Sequence, residues 1–150
     1  MDKMKTLIIS YLLLFGVLLP DTSKAAVWIH FSTNEYYDSF YDNKSLSRPS
    51  SGIIRVLKKE VVRSQAGKEF VIRKRMEKGL SVKGYTDFKY SLTLSDIDCQ
   101  KAKFRFFYLK EYSNSGKELS SHDFPPDQAS QWHSIPRDSI VDYLRKAVCK

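Results

Sequence analysis

Phe88-Lys89-Tyr90-Ser91-Leu92-Thr93-Leu94 alternates apolar and polar residues without a break. That period of two places Phe88, Tyr90, Leu92 and Leu94 on one side of an extended chain, which predicts a half-buried β-strand. The strand runs on into Asp96-Ile97-Asp98-Cys99. A turn at Gln100–Ala102 leads to a second strand, Phe104–Tyr112, with Phe104, Phe106, Tyr108 and Tyr112 on one side. Phe107 and Leu109 make its other side partly apolar, as suits a central strand. Ser113-Asn114-Ser115-Gly116 reads as a hairpin turn, with a short strand near Leu119.

Outward from this hairpin the same patterns recur. Ile53–Val62 is β-branched at five positions, Tyr36–Tyr41 places aromatics on both sides, and Val27–Ser32 centres on Trp28, Ile29 and Phe31, so each reads as a strand. The Ser-rich stretch Asn43–Gly52, with Pro49, reads as a loop. Lys68–Lys78 lacks Gly and Pro, carries Glu69 four residues before Arg73, and ends at Gly79, which predicts a helix. After the break at Pro125-Pro126, a last helix is expected with Pro136 near its first position. Ile140, Val141, Leu144, Ala147 and Val148 share one face of it, and the sheet is the apolar surface available to cover that face. The fold class is therefore α+β: an antiparallel sheet of about six strands, a C-terminal helix packed on one face and a second helix mid-chain.

The 150 residues suit one domain rather than two. A hydrophobic fraction of 42% and a charged fraction of 28% are those of a globular chain, and six Gly and five Pro exclude a low-complexity polymer. The N-terminus carries Lys3 and Lys5, then an apolar run from Leu7 to Leu19, then Ser23-Lys24-Ala25. This is the pattern of a secretory signal peptide cleaved after Ala25, leaving residues 26–150 as the exported domain. The run is too short for a bilayer span, and no later stretch is apolar enough for one. No cysteine lies near the cleavage site, so a lipoprotein anchor is not expected and the protein is placed in a periplasm or outside the cell. Export to an oxidising compartment makes a Cys99–Cys149 disulfide the expected state of the two cysteines, against the alternative of two free thiols.

The chemistry scan finds no nucleophile elbow, no zincin motif, no phosphate-binding loop and no calcium loop. His30, His122 and His133 have no ligand spacing. Asp96 and Asp98, two apart, admit an acid/base pair or a weak cation site, against the plainer reading of a polar strand end. Asn43-Lys44-Ser45 matches a glycosylation sequon, which has meaning only in a eukaryotic secretory pathway. No catalytic residue, metal ligand or cofactor is assigned, and the protein is not expected to be an enzyme.

Charge is the informative feature. From Arg55 to Lys83 ten basic residues face only Glu60, Glu69 and Glu77, while the rest of the exported chain balances to zero. A concentrated positive field attracts anionic partners. Arg63, Lys68, Arg73, Lys74, Arg75 and Lys78 are the candidate binding residues. The alternative is a solvated helix face that serves solubility alone. Lipid phosphates, sulfated glycans and acidic protein surfaces fit the compartment; nucleic acid does not. A second functional reading is a small-ligand carrier, with a pocket lined by some of the aromatics rather than a core filled by them.

With these residues laid out, the chain resembles the surface-adhesin protein E-like family of bacterial exported proteins. The likeness rests on Trp28, Tyr36-Tyr37-Asp38, the Tyr90–Leu94 run into Ile97-Asp98-Cys99, Trp132 with Ile135-Pro136 and Ser139, and the terminal Ala147-Val148-Cys149. It implies an antiparallel sheet with a C-terminal helix held against it by the disulfide, and a role in adhesion to host matrix proteins. It maps no binding residue onto a position here.

Overall fold

The computed structural model describes residues 25–150. The leader assigned to residues 1–25 lies almost entirely outside them. Eight strands form one antiparallel sheet: β1 (Trp28–Thr33), β2 (Tyr37–Asp42), β3 (Ser47–Ser50), β4 (Ile53–Val62), β5 (Phe88–Asp98), β6 (Lys103–Ser113), β7 (Glu118–Asp123) and β8 (His133–Ser134). The order across the sheet is β1-β2-β4-β5-β6-β7, with β3 added beside β4 and β8 beside β6. The helices are α1 (Gln65–Glu77), α2 (Pro126–Ala129) and α3 (Ile140–Val148). The α+β class, the antiparallel sheet and the C-terminal helix are as the sequence predicts.

Both long helices cover the same face. Along β4 the even-numbered residues Ile54, Val56, Lys58, Glu60 and Val62 point one way. At one end of that row Leu144 and Val148 of α3 pack on Tyr41, Ile54, Val56 and Ile97. At the other end Val71 of α1 packs with Val62, Tyr85 and Phe88. Full burial of a side chain such as Leu144 contributes about 1.5–3 kcal/mol. The disulfide Cys99–Cys149 joins the end of β5 to the residue after α3, beside the first cluster. Cross-linking residues 50 apart stabilises by about 4 kcal/mol in the chain-entropy account.

Several boundaries differ from expectation, each for a local reason. The last helix begins at Ile140 rather than near Pro136, because Asp138 has a φ of 59°, outside the helical region. The Ser139 hydroxyl then caps the helix, accepting from the Asp142 N–H at 3.2 Å. α1 starts earlier, at Gln65, because the Ser64 hydroxyl accepts from the Gly67 N–H. Part of the Ser-rich loop is strand, because Ser47 and Ser50 pair with Arg55 and Ile53.

The largest difference concerns the alternating stretch itself. Tyr90, Leu92 and Leu94 do not lie under the helices; Ser91, Thr93 and Ser95 do, and they are buried. An irregularity in the β5–β6 ladder between Phe88 and Tyr90 leaves Phe88 on the covered side and turns the next apolar residues to the open side. A one-residue slip exchanges the faces of every residue beyond it.

α1 approaches the sheet closely at Gly67, where an added Cβ would collide with a Val62 methyl and sit 2.8 Å from the Tyr36 carbonyl oxygen. Backbone cannot yield as a flexible side chain does. Gly67→Ala is therefore expected to destabilise the fold by about 1–3 kcal/mol despite alanine's better helix propensity, read as a lower urea midpoint with an unchanged slope.

Candidate functional site

The residues singled out in the sequence fall into distinct environments. Asp96 is fully buried, and its two carboxylate oxygens accept four hydrogen bonds from Arg55 and Arg105, at 2.8 to 3.2 Å. Asp98 accepts from the backbone N–H groups of Gln100 and Lys101 and shapes the β5–β6 turn. Both oxygens of Asp96 are consumed by its two arginines, and the structure does not bring the two carboxylates together as a pair. The three histidines are separate: His30 contacts Thr33 and Phe40, His122 meets Phe124 edge-on and His133 tilts against Phe104. Among the described residues no group of three His, Cys, Asp or Glu side chains is placed to hold a metal ion.

The basic segment is partitioned by the fold. Arg55 is consumed by Asp96, and Lys58 is buried against Glu60 at 2.8 Å. Arg75 donates to Glu111 at 2.6 Å and to the Ser81 carbonyl at 2.8 Å, and lies over the Tyr85 ring. Lys74 pairs with Glu77 on the exposed side of α1, and Arg73 and Lys78 are exposed. Arg63 reaches Asp38 at 3.6 Å and donates to the Asn34 carbonyl.

Two concave regions flank α1. The first is a cleft of about 250 Å³ between α1 and the covered face of the sheet. Glu60, Ser91 and Glu111 stand in one row across β4, β5 and β6 and line it, with Lys74, Arg75 and Lys78 from the helix. Phe70, Leu80 and Leu109 supply its apolar wall. Burial, reinforced by the charges of Glu60 and Glu111, pushes the Tyr37 phenol up to about 12. Tyr85, which donates to Glu111 at 2.8 Å, is pushed up as well, first by burial and then by that hydrogen bond. The second region, also about 250 Å³, lies at the start of α1 and is lined by Arg63, Lys68 and Lys89 together with Val62, Ser64, Gln65 and Asn114. No carboxylate lines it.

Sequence reasoning did not single out Lys89 or Glu111. Lys89 lies outside the basic segment and reaches it only because β5 runs beside β4. Glu111 is the one carboxylate on β6, 36 residues from the arginine it holds. The polar spacing within each strand carried the only available signal.

A disulfide-anchored antiparallel sheet with a C-terminal helix packed on one face defines an α+β domain. Residues 28–150 match the surface-adhesin protein E family, and the chain belongs to that family. No individual characterised protein and no solved structure matches the chain. Membership implies a non-enzymatic, adhesin-like binding role, and no helix among the described residues is long and apolar enough to cross a membrane.

The raised phenols set an alkaline limit. Unfolded tyrosines ionise near pH 10, whereas Tyr37 in the fold resists to about 12. Their neutral forms therefore contribute stability that is full below pH 10 and lost as pH rises from 10 through about 12. Tyrosinate absorbance and chemical unfolding recorded together across that range are expected to fall into step, and Tyr37→Phe is expected to flatten the loss.

Proposed function

We propose that this protein is an exported, non-enzymatic adhesin-like domain that engages an anionic or matrix-like partner through the cations around α1. The observation that supports this most directly is the recess lined by Arg63, Lys68 and Lys89 without a carboxylate. Among the described residues Lys68 reaches only a backbone carbonyl, at 3.4 Å, so no carboxylate there neutralises its charge. Arg73 and Lys78 extend the same field along the exposed side of the helix toward a partner's sulfate, phosphate or carboxylate groups, and Lys74 adds to it while paired with Glu77. Arg75 contributes differently: its guanidinium is held by Glu111, and it braces the helix. In this reading residues 1–25 are a cleaved leader, the domain starts at Ala26, and it acts in the periplasm or outside the cell without a lipid anchor.

Retention on a heparin column tests the reading. The double variant Lys68→Glu with Lys89→Glu is expected to elute at clearly lower salt than the unaltered protein, and Arg73→Glu with Lys78→Glu to a lesser degree. Elution of the first variant at unchanged salt overturns the assignment of the recess.

The cleft beneath α1 favours a second reading, that of a small-ligand carrier, because it combines an apolar wall with Glu60, Glu111 and Lys78 within about 250 Å³. Native mass spectrometry of protein isolated from its own host is then expected to show a bound small molecule that Leu109→Trp, which fills the cleft, removes.

A further inference from the structure

Among the described residues, the face of the sheet opposite the long helices is covered only near Arg105 and Phe107, by α2 and Trp132. α1 and α3 both pack on the other side, and α2 contacts β6. The bulge that turned Tyr90, Leu92 and Leu94 outward placed them on this open face, beside Leu57 and Val61 of β4. All five remain partly exposed. Partly exposed apolar side chains grouped on one face give it the composition of an interaction surface.

Its cations are arranged in a particular way. The Lys59 ammonium sits between two rings, 5.2 Å from the Trp28 centroid and 4.3 Å from that of Tyr90, and Tyr90 stacks in turn on Tyr112 at 4.9 Å. One strand further on, the Lys110 ammonium lies 5.4 Å from the Tyr108 ring. Register places Lys59, Leu92 and Lys110 in one row across the middle of the face. Neither lysine has a carboxylate within 4.0 Å among the described residues, and burial together with neighbouring Lys89 pulls the Lys59 pKa down. Asp38, Glu118 and Asp123 stand toward the margins, and Asp96 is consumed by its two arginines. The centre of the open face is thus apolar, ringed by amphipathic aromatics and positively charged without compensation.

We propose that this open face docks on the surface of an anionic lipid bilayer, with Trp28, Tyr90, Tyr108 and Tyr112 at headgroup depth and Lys59 and Lys110 paired with lipid phosphates. Trp and Tyr favour that depth because one end of each ring is apolar and the other hydrogen-bonds. Lysines bury their stems in the apolar layer and keep the ammonium at the charged boundary. Anionic headgroups supply the countercharge that the fold withholds from both lysines. A broad pleated face with so little covering it matches a planar partner, and the docking uses none of the cations around α1.

Sedimentation with vesicles tests this, with phosphatidylglycerol in phosphatidylcholine compared against phosphatidylcholine alone. The unaltered protein is expected to bind the anionic vesicles preferentially. Lys59→Glu with Lys110→Glu is expected to weaken binding at least about tenfold. Lys44→Glu with Lys101→Glu, an equal charge change at exposed turns, is expected to leave most of it; all variants share the same N-terminus, so residues 7–19 contribute equally. Tryptophan fluorescence gives a second readout: the vesicle-induced blue shift is expected to persist in Trp132→Phe and to vanish in Trp28→Phe. Equal binding to neutral vesicles, equal losses in the two charge variants, or a shift carried by Trp132 overturns the proposal. So does a stable dimer, seen in solution, that Lys59→Glu disrupts, because a second copy then covers the face.

Discussion

A single buried carboxylate ties the three central strands together. Arg55, Asp96 and Arg105 stand directly opposite one another on β4, β5 and β6, and both oxygens of Asp96 are used by the two guanidinium groups. An ionised carboxylate removed from water is tolerated only when paired and hydrogen-bonded, and removing one partner of a buried pair costs about 3–5 kcal/mol. The constraint is therefore one of register as much as of stability. Sliding any of the three strands would separate the charges, so the pairing excludes the alternative alignments that an alternating Ser/Thr-rich strand would otherwise permit.

Once register is set, the two faces acquire opposite characters. The covered face holds apolar clusters under α1 and α3, with a row of small or paired polar groups between them: Ser39, Glu60, Ser91 and Glu111. Small side chains there let the helices lie close to the sheet, and Gly67 extends the same economy to α1. The Ser39 hydroxyl is buried with no hydrogen-bond partner, the one such side-chain atom among the described residues. The open face holds the larger aromatics, which shield one another and the lysine stems. The usual division of a one-sided sheet, with small polar residues outside and large apolar ones inside, is thus partly reversed in the middle of this one.

Much of the architecture was legible along the chain. Alternation located β5 and β6, β-branching located β4, and the apolar stripe from Ile140 to Val148 located α3. The compartment reasoning paired Cys99 with Cys149. Those are local patterns, or consequences of having only two cysteines. The start of α3 was misjudged because Pro136 is a generic helix-start signal, whereas the left-handed backbone at Asp138 depends on how Ser139 and Asp142 close the turn. The basic segment was visible as a sum, but its division was not: Arg75 looked equivalent to Arg73 until Glu111, from a different strand, came within 2.6 Å of it.

The sequence by itself determined the long strands, the two long helices, the single covalent staple available to two cysteines and the amount of positive charge, because each follows from residues close in the chain or from simple counting. Only the tertiary structure decided which side of the sheet is covered and which cations remain available. The first depends on a ladder irregularity between β5 and β6. The second depends on contacts such as Arg55 to Asp96, 41 residues apart. Neither leaves a periodic trace in the chain, since a bulge changes the phase of the pattern without changing the pattern itself.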